Sequence, residues 1–309
     1  MKKRPIITAR SATLVLQHHF NKHPKAVKRI HGGLANHVFE ARIGREDVVL
    51  RISAKPAKLQ TFMKEQWAVN AARKNKIPTP EILEVSNDII GLPYMILRKV
   101  VGCSADSATG ANRAEVLREL GRYAAKINAI KTHDFGHIFD WSPNKLSRHR
   151  TWKDFLENEL NLDERVESLR RNGALEPANA KRLRQQIELM KRWKASPSLC
   201  HGDIRMKNVI LDEKQKIVAI LDWENCSSNI APYWELSIAL HDLTMDEKGI
   251  FLAGYGVDLK DYIKMAPAIK ALNILNYVRS VRHAVERKDK ARLLNLRARL
   301  NGAFDLYSL

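Results

Sequence analysis

Cysteine is scarce in this chain: Cys103, Cys200 and Cys226 are the only three in 309 residues. They form no metal-ligand spacing, and an odd number leaves one unpaired. That excludes a closed disulfide framework and fits a reducing compartment, so the expected localisation is cytoplasmic. No apolar run is long enough to span a membrane, and no membrane partner is expected. The first residues, Met-Lys-Lys-Arg-Pro-Ile-Ile-Thr, lack the apolar core of a secretory signal. Acidic side chains are also in deficit, 34 against 53 Lys and Arg, for a formal charge of +19. Such a balance favours polyanionic partners: RNA, anionic lipid or an acidic substrate. Yet helix-turn-helix, zinc-finger and RNA-stacking motifs are missing, and the cations are spread through 22–29, 148–153 and 181–194. Solvated helix faces are the simpler reading. A nucleic-acid partner is not expected, although the charge leaves one open.

With 45% apolar residues the chain can bury a large core, in one large or two ordinary domains. Residues 11–20 read as a first helix with Ser11 near its cap, rather than as part of a basic transit peptide. The polar chemistry concentrates in 199–224, LCHGDIRMKNVILDEKQKIVAILDWE. His201, Asp203 and Asn208 occupy a short loop between apolar runs. The runs 208–211 and 217–221, rich in Val and Ile around a polar turn at 212–216, read as a β-hairpin. A hairpin sets the residue before one strand beside the residue after the other, so Asn208 and Asp222 are expected to meet at one end. One of the two acids can then hold an attacking hydroxyl, while the amide oxygen and the second acid supply hard oxygen ligands for Mg²⁺. Cys200 adjoins His201, but the neighbouring acid and amide explain the loop without a thiol nucleophile. Packing is the expected role of all three cysteines.

His-Gly-Asp-x-x-x-x-Asn, a hairpin and then Asp-Trp-Glu together resemble the catalytic and metal-binding segment of the aminoglycoside phosphotransferase and choline kinase-like family. Within that family the chain looks most similar to the hygromycin B phosphotransferases. The supporting features are the Met-Lys-Lys start with Thr8-Ala9, Val49-Leu-Arg-Ile-Ser53, the PTPEIL segment at 78–83, and Thr151-Trp-Lys-Asp-Phe155. The resemblance implies an α+β, bilobal, protein-kinase-like fold. An N-terminal nucleotide-binding lobe of antiparallel sheet and helix is expected over 1–101, and a mainly helical catalytic and substrate-binding lobe over 102–309.

The N-terminal third carries the matching nucleotide features. Two strands, 25–30 and 37–43, flank a Gly-rich turn in which Gly32 and Gly33 let the backbone approach a ligand. That turn resembles the family's nucleotide-covering loop, with Asn36 where Asn or Ser is frequent. In a third strand, 47–52, Arg51 points to the opposite face from Leu50 and Ile52. It resembles the family's phosphate-binding cation, usually Lys, and Glu65 in a helix near 61–74 resembles that cation's partner. The stretch 91–102 resembles the hinge that reads adenine: Leu97 deep in the pocket, Arg98 offering its carbonyl, Val100 its N–H. Asp134-Phe-Gly lies upstream of His201, the wrong order for a metal acid, and resembles a Gly-Phe-Gly turn instead. Glu235 stands where the family has an Asp that braces the catalytic loop.

The implied activity is transfer of the γ-phosphoryl of ATP (or GTP), with Mg²⁺, to a hydroxyl of a small molecule, with a hygromycin-like aminoglycoside as one acceptor class. The family resemblance gives Asp203 the role of taking the hydroxyl's proton, and Asn208 and Asp222 that of holding Mg²⁺. Two features leave the acceptor open. The acids between 154 and 167 read either as a cation-binding wall or as a solvated helix face. Arg205 and Lys207, in the catalytic loop, favour an anionic substrate or simply neutralise phosphate. The alternatives are a kinase-like nucleotide- or RNA-binding module without transfer, and a kinase of a protein or an anionic metabolite.

Overall fold

Alternation of apolar residues along three early strands decides how the N-terminal region packs. The computed structural model describes residues 6–30, 36–136 and 149–304; Gly32 and Gly33 lie outside these residues. A helix, α1 (Ala9–Phe20), precedes strands β1 (Lys25–Ile30), β2 (His37–Ile43) and β3 (Glu46–Ile52). In β3, Val48, Leu50 and Ile52 are fully buried in one cluster with Phe39, Ala41 and Ile43 of β2 and Ala12, Val15 and Leu16 of α1. The alternate residues Val49 and Arg51 belong to the other face. Helix α1 starts at Thr8, whose side chain accepts from Ser11 N–H while the Ser11 side chain accepts from Thr8 N–H. Ser11 is thus the third helical residue of a capping box, with Thr8 as the cap.

Helix α2 (Lys58–Lys74) follows, then β4 (Ile82–Ser86), β5 (Tyr94–Arg98) and a short β6 (Cys103–Ser104). The sheet is antiparallel with order β1-β2-β3-β5-β4. Helix α2 begins a turn earlier than expected because its N-terminus has no side-chain cap to mark it. The extra turn brings Lys58 into the helix.

The predicted hairpin forms from Val209–Leu211 and Ile217–Ile220, with β6 as a third antiparallel strand. Asp212 shapes its turn by accepting from the N–H groups of Lys214 at 2.9 Å and Lys216 at 2.8 Å. Two compact units result: Met1–Ala108 with Met206–Cys226, and Thr109–Arg205 with Ser227–Leu309. A division at residue 101 follows chain order; pairing of β6 with Val209–Leu211 instead gathers the hairpin into the first unit.

The second unit is mainly helical. Helix α3 (Gly110–Asn128) crosses the helix Met245–Tyr255 at backbone contact. A Cβ on Gly121 would stand 2.2 Å from the Phe251 carbonyl oxygen, and one on Gly254 2.0 Å from that of Arg118. The unit ends in helices Leu259–Asn276, Val278–Glu286 and Lys290–Gly302. Their residues Ala266, Ile269, Leu272, Ile274, Leu275 and Val278 are all buried. A two-stranded ribbon, Pro197–Cys200 against Ser227–Ile230, carries the loop that begins at His201. Among the described residues, no helix is long and apolar enough to cross a membrane.

Candidate active site

In the first unit, the face of β3 opposite α1 opens onto a cavity of about 230 Å³. Arg51, Glu65, Leu97, Arg98, Val100 and Asp222 line it, together with Glu40, Val49 and Val69. Sequence reasoning had assigned the first six to nucleotide and metal, and the fold brings them to one place. Asn36 and Asn208 are not among the lining residues. Asn208 is nevertheless joined to the far strand, because its carbonyl accepts from Leu221 N–H at 2.7 Å. That bond sets Asp222 one residue beyond the same end of the hairpin. Asp222 has left-handed backbone (φ 64°) and opens a tight turn, Trp223–Asn225.

Arg51 Nη1 donates to Glu65 Oε1 at 2.8 Å, and both side chains are largely buried. Glu65 Oε2 is buried without a hydrogen-bond partner among the described residues. The guanidinium lies 5.2 Å over the Phe62 ring. Burial alone would lower the Arg51 pKa, but Glu65, then Asp222 and Glu224, outweigh it and hold it above its ordinary value. The cation that faces the cavity therefore stays charged.

Sequence reasoning left Glu224 without a role and missed Lys58. Lys58 Nζ lies 2.6 Å from Glu224 Oε2, and Arg51 Nη2 is 3.8 Å from the same oxygen. Burial would raise the Glu224 pKa, but the hydrogen bond and charge of Lys58, then Arg51 and Lys64, hold it below the ordinary value. The start of α2 is thereby tied to the turn that follows Asp222. No short-range signal could reveal a pair 166 residues apart.

In the second unit the loop 201–205 is held from behind. Glu235 is fully buried; its Oε2 accepts from His201 N–H at 2.6 Å and its Oε1 from Gly202 N–H at 3.2 Å. The glutamate standing in place of the family's aspartate therefore does reach the loop. Asn128 Nδ2 donates to Leu199 O at 2.9 Å and lies 3.4 Å from Glu235 Oε2, while Tyr255 Oη donates to Asn128 Oδ1 at 2.7 Å. His201 Nδ1 accepts from Asp203 N–H at 3.2 Å, so the ring orders the loop. Asp203 is buried, and its Oδ1 is 2.6 Å from Arg205 Nε. Arg205 Nη1 in turn lies 3.0 Å from Asp242 Oδ2. Neither Asp242 nor Asn128 stood out in the sequence.

The acids from 157 to 167 have basic neighbours. Glu157 pairs with Lys191, Glu159 with His149, and Asp163 with Arg184. Glu164 meets Arg171 and Arg282, and Glu167 meets Arg170 and Arg184. Asp134-Phe-Gly forms bridges instead of a metal site: Phe135 pairs with His149 and Gly136 with Ser228.

A sequence model described as the phosphotransferase enzyme family matches residues 26–268. Aminoglycoside phosphotransferase APH(4)-Ia has a similar fold, at 18% identity over 96% of this chain and 98% of that one, TM-score 0.70. A thermostable mutant of that enzyme, solved with AMP-PNP and hygromycin B, gives a TM-score of 0.71 at 17% identity, covering 95% and 97%. Macrolide 2'-phosphotransferase MphH from Brachybacterium faecium, at 16% identity over 94% and 97%, gives 0.62. No curated protein matches in sequence. The structural likenesses establish the α+β kinase-like fold, and the family model, matching well over half of the sequence, establishes that the chain belongs to the phosphotransferase enzyme family.

Proposed function

We propose that this phosphotransferase moves the γ-phosphoryl of ATP or GTP to a hydroxyl of a small molecule. One observation carries the reading: the Arg51–Glu65 pair, Asp222, Leu97 and Arg98 of β5 and Val100 just beyond it line one cavity. Arg51 contributes a fixed, permanently charged fork suited to phosphate oxygens. Backbone groups of Arg98 and Val100 meet the base, and Gly32, Gly33 and Asn36 cover the phosphates. Asp203, in the loop braced by Glu235, orients the acceptor hydroxyl and receives its proton. The acceptor oxygen bonds to the γ-phosphorus as the bond to the β–γ bridging oxygen breaks, and the nucleoside diphosphate leaves.

Mg²⁺ needs few protein ligands, because phosphates and water complete its shell. Asn208 and Asp222 would hold it, and it would neutralise charge on the transferring phosphates. None of the three cysteines is in a disulfide, which suits a reducing, cytoplasmic setting.

The test is Asp203→Ala, assayed with γ-labelled ATP or GTP, Mg²⁺ and a panel of sugars, amino alcohols and aminoglycosides. Transfer is expected to fall at least about a hundredfold, the contribution of a positioned base, with nucleotide binding and circular dichroism unchanged. A variant as active as the parent would remove Asp203 from the mechanism.

A further inference from the structure

Two cavities of about 470 and 420 Å³ adjoin in the second unit, sharing Ser237, His241, Asn273 and Arg299 as lining. Their size suits a small molecule. Among the described residues their walls carry five cationic side chains, Arg205, Lys248, Lys270, Arg292 and Arg299, against a single carboxylate, Asp242. That carboxylate is already engaged by Arg205 at 3.0 Å and by the His241 ring.

The remaining polar groups add to the surplus of donors. Tyr277 is buried, lines the smaller cavity, and its hydroxyl has no partner among the described residues; the Asn276 side-chain N–H₂ is likewise without one. Arg299 is held over the Tyr277 ring at 5.4 Å and donates to the His241 carbonyl. Burial, then the charges of Arg299 and Lys270, lower the pKa of Lys248, a sign of crowded like charges. Arginine and lysine offer donors and no acceptor, so a ligand that satisfies these walls must bring acceptor atoms and negative charge. A polycationic aminoglycoside brings hydroxyl acceptors but no negative charge, and its ammonium groups meet repulsion.

Arg205 links this space to the chemistry, because it lines the smaller cavity and its Nε lies 2.6 Å from Asp203 Oδ1. The acids at 157–167 do not offset the picture, since each already faces a basic side chain of its own unit. We infer that the acceptor is an anionic small molecule, bearing a carboxylate or phosphate that seats against Arg205, Arg292 and Arg299, besides the hydroxyl it offers. The inference rests on the reading of Asp203 as the residue that takes the acceptor's proton; the transfer itself is the one written above.

Binding and transfer are measured separately on the full chain. Inorganic phosphate, D-gluconate, D-glucose 6-phosphate, neutral D-glucose and hygromycin B are each titrated calorimetrically without nucleotide. At least one of the three anions is expected to bind, with D-glucose and hygromycin B silent; which one binds separates carboxylate from phosphate recognition. Arg292 is exposed, so Arg292→Gln should fold normally. It is expected to weaken anion binding about tenfold, the loss of one charged hydrogen bond, with Arg292→Lys intermediate and nucleotide affinity unchanged. If none of the anions binds, if hygromycin B binds instead, or if Arg292→Gln and Lys270→Gln both bind anions like the parent, the inference is overturned. Anion binding with the expected variant pattern, but no transfer to any acceptor, would keep the anion site and remove the transfer reading.

Discussion

Neither Arg51 nor Glu65 is tolerable alone where it sits. Their side chains are 15% and 3% exposed, and the two charges meet at 2.8 Å. Removing one partner of such a pair typically costs about 3–5 kcal/mol, because it strands the other charge, whereas replacing both with apolar groups is often neutral. Glu65→Ala should therefore lower stability by about 3 kcal/mol in denaturant titration. The double change Arg51→Met with Glu65→Leu should recover most of that loss while leaving nucleotide binding absent. Recovery of both would show the pair to be scaffold only. Glu235 is a second case. Burial pushes its pKa up to about 7 from 4.5, against the backbone bonds from His201 and Gly202 and the Asn128 amide, and with help from the Asp203 charge. The folded chain then keeps a proton that the unfolded chain releases from pH about 4.5 upward. Stability should fall between those two pH values, by roughly 3 kcal/mol, and level off above. Glu235→Gln should flatten that slope in a pH series of melts. Much of this residue-level site was legible. Arg51 declared its face through strand alternation, and Asp203, Asn208 and Asp222 declared themselves by spacing. Lys58, Asn128 and Asp242 did not, because their partners lie far along the chain and no period or motif joins them.

At the scale of elements, the crossing of α3 with Met245–Tyr255 depends on the absence of two β-carbons. Contacts of 2.2 and 2.0 Å with backbone oxygens cannot be relieved by a rotamer change, so the helices must separate if either glycine gains a side chain. Gly121→Ala and Gly254→Ala should each cost about 1–3 kcal/mol, the usual penalty of overpacking. Because both act on one crossing, the double variant should lose less than the sum. Additive losses in thermal unfolding would argue against a shared contact. This crossing also steadies the loop 201–205, since Asn128 ends α3 and Tyr255 ends its partner. Strands β1, β2 and β3 and the hairpin were read almost to the residue, because β-branched runs bounded by turns leave little freedom. The start of α2 was misplaced by a turn for want of a cap. The split of the Thr151 helix into Trp152–Asp154 and a wider-wound stretch, Phe155–Glu159, had no signal in composition.

For the molecule as a whole, the surplus of positive charge looked at first like a diffuse property of solvated faces. The fold resolves part of it into structure. Some arginines neutralise the acids at 157–167, and others line the cavities beside Asp203. No window of sequence could separate the two populations, because each draws on helices far apart in the chain. The assignment of the hairpin to the first unit was hidden for the same reason: it depends on β6, a strand of two residues. That same strand has a practical side. Cys103 is exposed, whereas Cys200 and Cys226 are buried. A maleimide fluorophore should therefore attach to the unaltered protein at one address, directly across from Leu211. Its emission would follow, in real time and without mutagenesis, how the ribbon bearing Asn208 and Asp222 responds as nucleotide arrives.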